Sequence, residues 1–191
     1  MRCQIVTAGF GGQGVLFLGD LLCRAALQEG KCVTYLPTYG VAMRGGTANC
    51  VVTISDREIG SPLLDGPEVA IILNEPSLVK FQPAVRPGGL IVANSSLILK
   101  DVFNRNDHIR MVWVPATETA REVAGTERAA NMVALGAFLA AEPIVSVSSV
   151  ETILRKVIPS HRKEMVEKNL AAIRVGLEKG LTCTRGSLAR A

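Results

Sequence analysis

Gly9-Phe10-Gly11-Gly12-Gln13-Gly14 sets four glycines in a six-residue stretch just after an apolar run. Glycines at this spacing let the backbone turn tightly and present amide N–H groups, and a helix starting behind the turn adds partial positive charge suited to an anion. A second stretch, Pro37 to Thr47, carries Arg44 before Gly45 and Gly46. An arginine beside two unhindered amides can clamp a phosphate or carboxylate, pair with an acid on another protein, or stand solvated at the surface. Gly11, Gly12, Gln13, Gly14, Arg44, Gly45 and Gly46 are therefore the candidates for binding an anionic cofactor or for meeting a partner subunit. No residue is assigned as catalytic and none as a metal ligand.

Other residues of reactive type are less persuasive. A dinucleotide site places Asp or Glu at the end of the second strand for the ribose hydroxyls. Here that end reads Tyr35-Leu36-Pro37-Thr38, and Glu29 lies in the tail of the preceding helix. His108 and His161 fall in polar segments and read as surface residues. Ser95 and Ser96 lack a nucleophile-elbow context and read as turn residues or a cap. Glu75 either faces the crevice and balances Arg44 or stabilises the start of a helix. Asn131 sits among apolar neighbours, where a buried amide would be satisfied by bonding to one of the glycine loops; the plain alternative is exposure. Cys3, Cys23, Cys32, Cys50 and Cys183 show no zinc or iron–sulfur spacing and read as thiols in a reducing compartment.

These loops need a framework of strands and helices. Cys3 to Ala8, Cys32 to Leu36, Ala48 to Ser55, Val69 to Leu73, Leu90 to Ala93 and Met111 to Val114 read as strands. Val15 to Leu27, Glu75 to Phe81, Thr117 to Val123, Arg128 to Ala140, Val150 to Val157 and Glu164 to Leu177 read as helices. Gly30 should close the first helix in the left-handed conformation, and Ser148 with Glu151 forms a capping-box pattern. Right-handed crossover makes the first two strands parallel, while Glu58 and Ile59 should return against the third strand as an appended β-hairpin.

The chain has 191 residues, 48% of them hydrophobic and only 4% aromatic, so Val, Ile, Leu and Ala must fill the interior of one domain. An α/β fold follows: a Rossmann-like three-layer domain over residues 1–181, with a mostly parallel sheet, the hairpin and C-terminal helices, and a frayed tail at 182–191. The net charge of +4 collects towards the C-terminal third, where acids alternate with bases and no aromatics intervene, which excludes nucleic acid. Apolar runs are too short to span a membrane, and Met1 to Ala8 runs straight into the glycine loop without an export signal, so a cytoplasmic protein is expected.

G-F-G-G-Q-G-V, Y-G-V-A-M-R-G-G-T-A-N-C and I-S-D-R-E-I-G-S-P together resemble the gamma subunits of 2-oxoacid:ferredoxin (acceptor) oxidoreductases of pyruvate, 2-oxoglutarate and ketoisovalerate type. The likeness continues through Asn131-Met132-Val133-Ala134-Leu135-Gly136 and Asn169-Leu170-Ala171-Ala172. It implies a heteromeric enzyme that decarboxylates a 2-oxoacid on thiamine diphosphate and passes electrons through Fe-S clusters to ferredoxin. Alpha, beta and ferredoxin-like delta subunits would carry thiamine diphosphate, Mg and the clusters. This chain would bind none of them alone, would be inactive in isolation, and would at most contact coenzyme A.

The R-G-G-T-A-N-C and I-G-S-P segments look most like the 2-oxoglutarate branch. Val41-Ala42 stands where many members carry Pro-Glu, an acid that indolepyruvate-type relatives also lack, which leaves the 2-oxoacid open. Two other readings follow from the residues themselves: a free-standing oxidoreductase binding NAD or FAD on the first loop, and a structural spacer subunit.

Overall fold

The computed structural model describes residues 1–39, 46–103 and 108–188, so Arg44 and Gly45 of the second glycine loop lie outside the described residues. Its strands are β1 (Arg2–Phe10), β2 (Cys32–Tyr39), β3 (Thr47–Ser55), β4 (Val69–Ile72), β5 (Leu90–Asn94) and β6 (Arg110–Val114). The helices are α1 (Val15–Gln28), α2 (Glu75–Phe81), α3 (Ala116–Ala124), α4 (Ala130–Ala141), α5 (Val147–Val157) and α6 (Lys163–Leu188). The strands form one sheet in the order β2-β3-β1-β4-β5-β6.

From β1 to β6 all pairings are parallel, while β3 runs antiparallel to both β1 and β2. The expected α/β architecture and the six strands are therefore present. β1 and β2 do point the same way, but β3 is inserted between them. The hairpin also has a different origin: it is β2–β3, turning through the second glycine loop. Glu58 and Ile59 could not extend it, because β3 already has a partner on each side. Glu58 and Ile59 lie instead in an irregular segment, which is tied to β1 further along, where Gln4 Nε2 donates to the Leu63 carbonyl at 2.8 Å and Gln4 Oε1 accepts from Asp65 N at 3.1 Å.

Strict alternation along the strands makes two cores. Ile5, Cys50, Val52, Ile71, Val92 and Val112 face α1, α3, α4, α5 and α6, whereas Val6, Ala8, Ile72, Ile91 and Ala93 face α2 and the loop after β5. α4 has apolar residues all round because it is enclosed between the sheet and α6. Gly136 of α4 and Gly176 of α6 let the two backbones touch: a Cβ at either would overlap a carbonyl of the other helix. Gly180 would meet the Ala137 carbonyl at 2.7 Å.

Local capping follows chemistry the sequence signals only in part. Gly30 has φ 76°, as expected of a left-handed cap. At α5 the capping residue is Ser146, whose side chain accepts from Ser149 N at 3.1 Å, two residues ahead of the Ser148 expected from the motif. Ser146 N in turn donates to Glu29 Oε1 at 2.7 Å, fastening the end of α1 to the start of α5.

Candidate functional site

Both glycine loops leave the sheet at the same rim. The first follows the carboxyl end of β1, the second joins β2 to β3, and Gly11 N donates to the Gly46 carbonyl at 2.8 Å. Gly12 and Gly14 take φ values of 101° and 73°, a region costly to any residue with a Cβ. A Cβ on Gly12 would meet nothing within 4 Å, so this stretch of backbone faces open space. Gln13 fixes the turn from within: its Oε1 accepts from Phe10 N at 2.6 Å, and its Nε2 donates to the Leu73 carbonyl at 3.3 Å. The loop is thus latched to the end of β4 as well as to β1.

Side chains from several elements hold the residue where the loop becomes helix. Asn131, only 4% exposed, donates from Nδ2 to the Gly14 carbonyl at 3.0 Å and accepts from Met132 N through Oδ1 at 2.9 Å. Its burial and its bond to the glycine loop match the first of the two expectations. Thr7 Oγ1 lies 3.0 Å from the Val15 carbonyl oxygen and 3.0 Å from Cys50 Sγ, and Tyr35 OH donates to the Leu16 carbonyl at 3.1 Å. Three strands therefore grip the first turn of α1, and Gly19 allows the close approach because a Cβ there would overlap Cys50 Sγ. Sequence reasoning missed this support; the signal was Thr7 and Cys50, polar and thiol groups facing one another across neighbouring core strands.

The opposite wall comes from β5 and α3. Asn94 Nδ2 donates to Thr117 Oγ1 at 2.9 Å, its Oδ1 accepts from Thr117 N at 3.3 Å, and Ser96 Oγ accepts from Glu118 N at 3.2 Å at the start of α3. Ser96 is thus a cap. Between this wall and the loop lies a cavity of about 160 Å³ whose lining includes Gly12, Gln13, Leu97, Thr117 and Arg128. Glu127 also borders it but is paired with Arg121.

Of the remaining candidates, Glu75 occupies the first turn of α2, whose N-cap is Asn74, with its side chain accepting from Ser77 N at 3.0 Å. His108 and His161 are exposed. Burial pushes the Cys3 and Cys23 thiols up to about 12 and also raises Cys50, so these three are inert as nucleophiles at neutral pH. No cluster of three metal-ligating side chains occurs among the described residues, and no described helix is long and apolar enough to cross a membrane.

The dinucleotide reading meets a geometric obstacle. A nicotinamide dinucleotide spans from the glycine turn to the end of the strand next to β1. Here that neighbour is the antiparallel β3, so the end of β2 lies two strand spacings away, roughly 9–10 Å instead of under 5 Å. It also carries Leu36, Pro37 and Thr38 in place of an acid.

A mixed α/β sheet with two bonded glycine loops at its carboxyl rim defines a member of the Rossmann-like class. Residues 4–179 match the family model described as pyruvate ferredoxin/flavodoxin oxidoreductase. The chain is 33% identical over 182 residues to the 2-oxoglutarate synthase subunit KorC of Methanothermobacter marburgensis, covering 93% of this chain and 96% of that one. It is 42% identical over 137 residues to ketoisovalerate oxidoreductase subunit VorA of the same organism, covering 72% of this chain but spanning only 28% of that longer relative. Among solved structures, the keto/oxoacid ferredoxin oxidoreductase gamma subunit of Geobacter sulfurreducens superposes with a TM-score of 0.83 at 29% identity, covering 96% of this chain and 98% of that one. The chain belongs to the pyruvate ferredoxin/flavodoxin oxidoreductase family.

Proposed function

We propose that this chain completes a 2-oxoacid:ferredoxin oxidoreductase that converts a 2-oxoacid, coenzyme A and oxidised ferredoxin to an acyl-coenzyme A, carbon dioxide and reduced ferredoxin. The observation that carries the reading is the Gly11–Gly46 hydrogen bond, which joins the two glycine loops into one amide-rich edge. Alpha, beta and delta chains, assembled with this one in the cytoplasm, would supply thiamine diphosphate, Mg and the Fe-S clusters. Bound thiamine diphosphate contributes the carbanion chemistry of decarboxylation. This chain contributes the rim: open backbone at Gly12, a loop latched by Gln13, and Arg44 of the second glycine-rich stretch.

An amide-lined edge beside open space fits an anionic group such as a phosphate of coenzyme A. A solved 2-oxoglutarate:ferredoxin oxidoreductase from Magnetococcus marinus with 2-oxoglutarate, coenzyme A and succinyl-CoA bound has a TM-score of 0.86 to this chain, at 23% identity, over 31% of its length. Relatives of matching length include 2-oxoglutarate, pyruvate/ketoisovalerate and indolepyruvate subunits; what supports 2-oxoglutarate as the substrate is the 33% identity with KorC over 93% of this chain, against 28% with the indolepyruvate subunit IorB of Archaeoglobus fulgidus over 95%.

Co-expression of the tagged chain with the thiamine-binding and ferredoxin-like proteins encoded beside it should yield a complex with coenzyme A-dependent 2-oxoglutarate oxidation. Arg44→Ala in that complex should lower turnover without loss of the fold. A tagged chain that emerges alone and restores no activity on reconstitution contradicts the proposal. Full turnover in the Arg44→Ala complex removes that residue from the mechanism.

A further inference from the structure

α1 keeps one face towards the surface. Val15, Leu18, Leu21, Leu22, Ala25 and Ala26 turn inward and are buried, which leaves Phe17, Asp20, Arg24 and Leu27 along the opposite side. Their spacings of three, four and three residues set them in one line on the helix, the seam spacing of a coiled coil. Leu27, at the end of that line, is 57% exposed. Beside it runs an open groove of about 790 Å³ between α1 and α5, whose apolar lining is Phe17, Leu27, Ile153 and Val157.

The order of residue types along the line identifies what fits there. It reads apolar, acid, base, apolar, and the members of each pair, Phe17 with Leu27 and Asp20 with Arg24, stand equidistant from position 22. Two such helices laid antiparallel about a two-fold axis at that level bring Phe17 of each copy to Leu27 of the other, and Asp20 of each to Arg24 of the other. A parallel copy would instead oppose acid to acid and base to base. Within one copy Arg24 Nε already donates to Asp20 Oδ2 at 2.8 Å, but the side chains are 52% and 36% exposed, so that pair alone contributes little. Across the axis the charges set direction and register, while the apolar residues of the line and groove supply the attraction.

We infer that this face is a self-association surface, through which two copies of the chain form an isologous dimer with α1 antiparallel to α1 and each α1 seated against the α5 groove of the other copy. The dimer does not depend on the reaction assigned to the assembled enzyme.

Sedimentation of the full chain over a concentration series tests the inference. A reversible monomer–dimer equilibrium without larger species is expected, because an isologous contact closes on itself. Asp20→Arg and Arg24→Asp should each raise the dimer dissociation constant about tenfold or more, since the two-fold axis repeats every like-charge contact. An equimolar mixture of the two variants should recover association as a heterodimer, because the reversed charges then face opposite ones. Leu27→Lys, at an exposed side chain, should weaken the dimer comparably, and it carries the test if circular dichroism shows that a charge variant does not fold. A wild-type chain still monomeric at about 0.1 mM would overturn the inference. So would open-ended oligomers, undiminished association of the folded variants, or a mixture of charge variants that stays monomeric. Charge variants that lose co-expressed subunits while the wild-type chain stays monomeric would assign the face to a different protein and overturn it equally.

Discussion

At the crevice, Gly12 and Gly14 hold backbone conformations that residues with a Cβ resist, and Gly12 points into open space. At the α4–α6 seam, Gly136, Gly176 and Gly180 have ordinary helical backbone and are needed because main chain presses on main chain. One residue type thus meets two unrelated demands, conformational freedom at the rim and zero side-chain volume in the core. Substitutions at the seam should act through stability, and substitutions at the rim chiefly through whatever the rim touches. Asn131 stands between the two regions, since it belongs to α4 yet bonds the Gly14 carbonyl.

The largest expected effect is Gly176→Val. Its side chain would be driven into the Val133 carbonyl, and denaturant unfolding should show a loss of about 3 kcal/mol or an insoluble chain. Near-native stability would mean the helices can part without penalty and would break the contrast.

Next is Gly14→Ala, which combines φ 73° with a clash against Asn131 Nδ2; roughly 2 kcal/mol should be lost along with the activity of the assembled enzyme. If Gly14→Ala and Gly176→Val lower stability while leaving activity per folded molecule intact, the rim and seam play one role and not two.

Gln13→Ala removes two loop contacts on a partly exposed side chain, so unfolding should shift by only about 1 kcal/mol. The Michaelis constant for coenzyme A in the complex should nonetheless rise; an unchanged constant would separate the latch from ligand binding.

The smallest effect concerns acid. Burial works to raise the Glu29 carboxyl, but the Ser146 backbone N–H, the Ser146 and Ser149 hydroxyls and Lys31 outweigh it and bring the group down to about 2 from 4.5. A depressed folded-state value means that this contribution is complete above pH 4.5 and fades as pH falls towards 2. Glu29→Gln should flatten the stability–pH curve in that window only, as followed by circular dichroism. An unaltered slope would show that the α1–α5 tie is not ionic.

Much of the fold was legible because its strands are short apolar runs bounded by glycine and proline, and because the helices keep a regular apolar spacing. What escaped notice depends on contacts distant in sequence. Nothing local in Cys32–Tyr39 or Thr47–Ser55 says that the latter slips between β1 and β2. The apolar spacing places the end of α6 at Leu177, yet the helix runs on to Leu188, with Gly180 set against Ala137 of α4. At the site, the first glycine loop and the Asn131 bond followed from residue type and position. The Thr7–Cys50–Tyr35 grip and the role of Thr117 did not, because they need the register of three strands and the approach of α3 to be known.

Because β2 touches the sheet through β3 alone, changes along β2 leave the pairing of β1 with β4, β5 and β6 undisturbed. Lineages could therefore retailor this outer strand for new neighbours while inheriting the same scaffold.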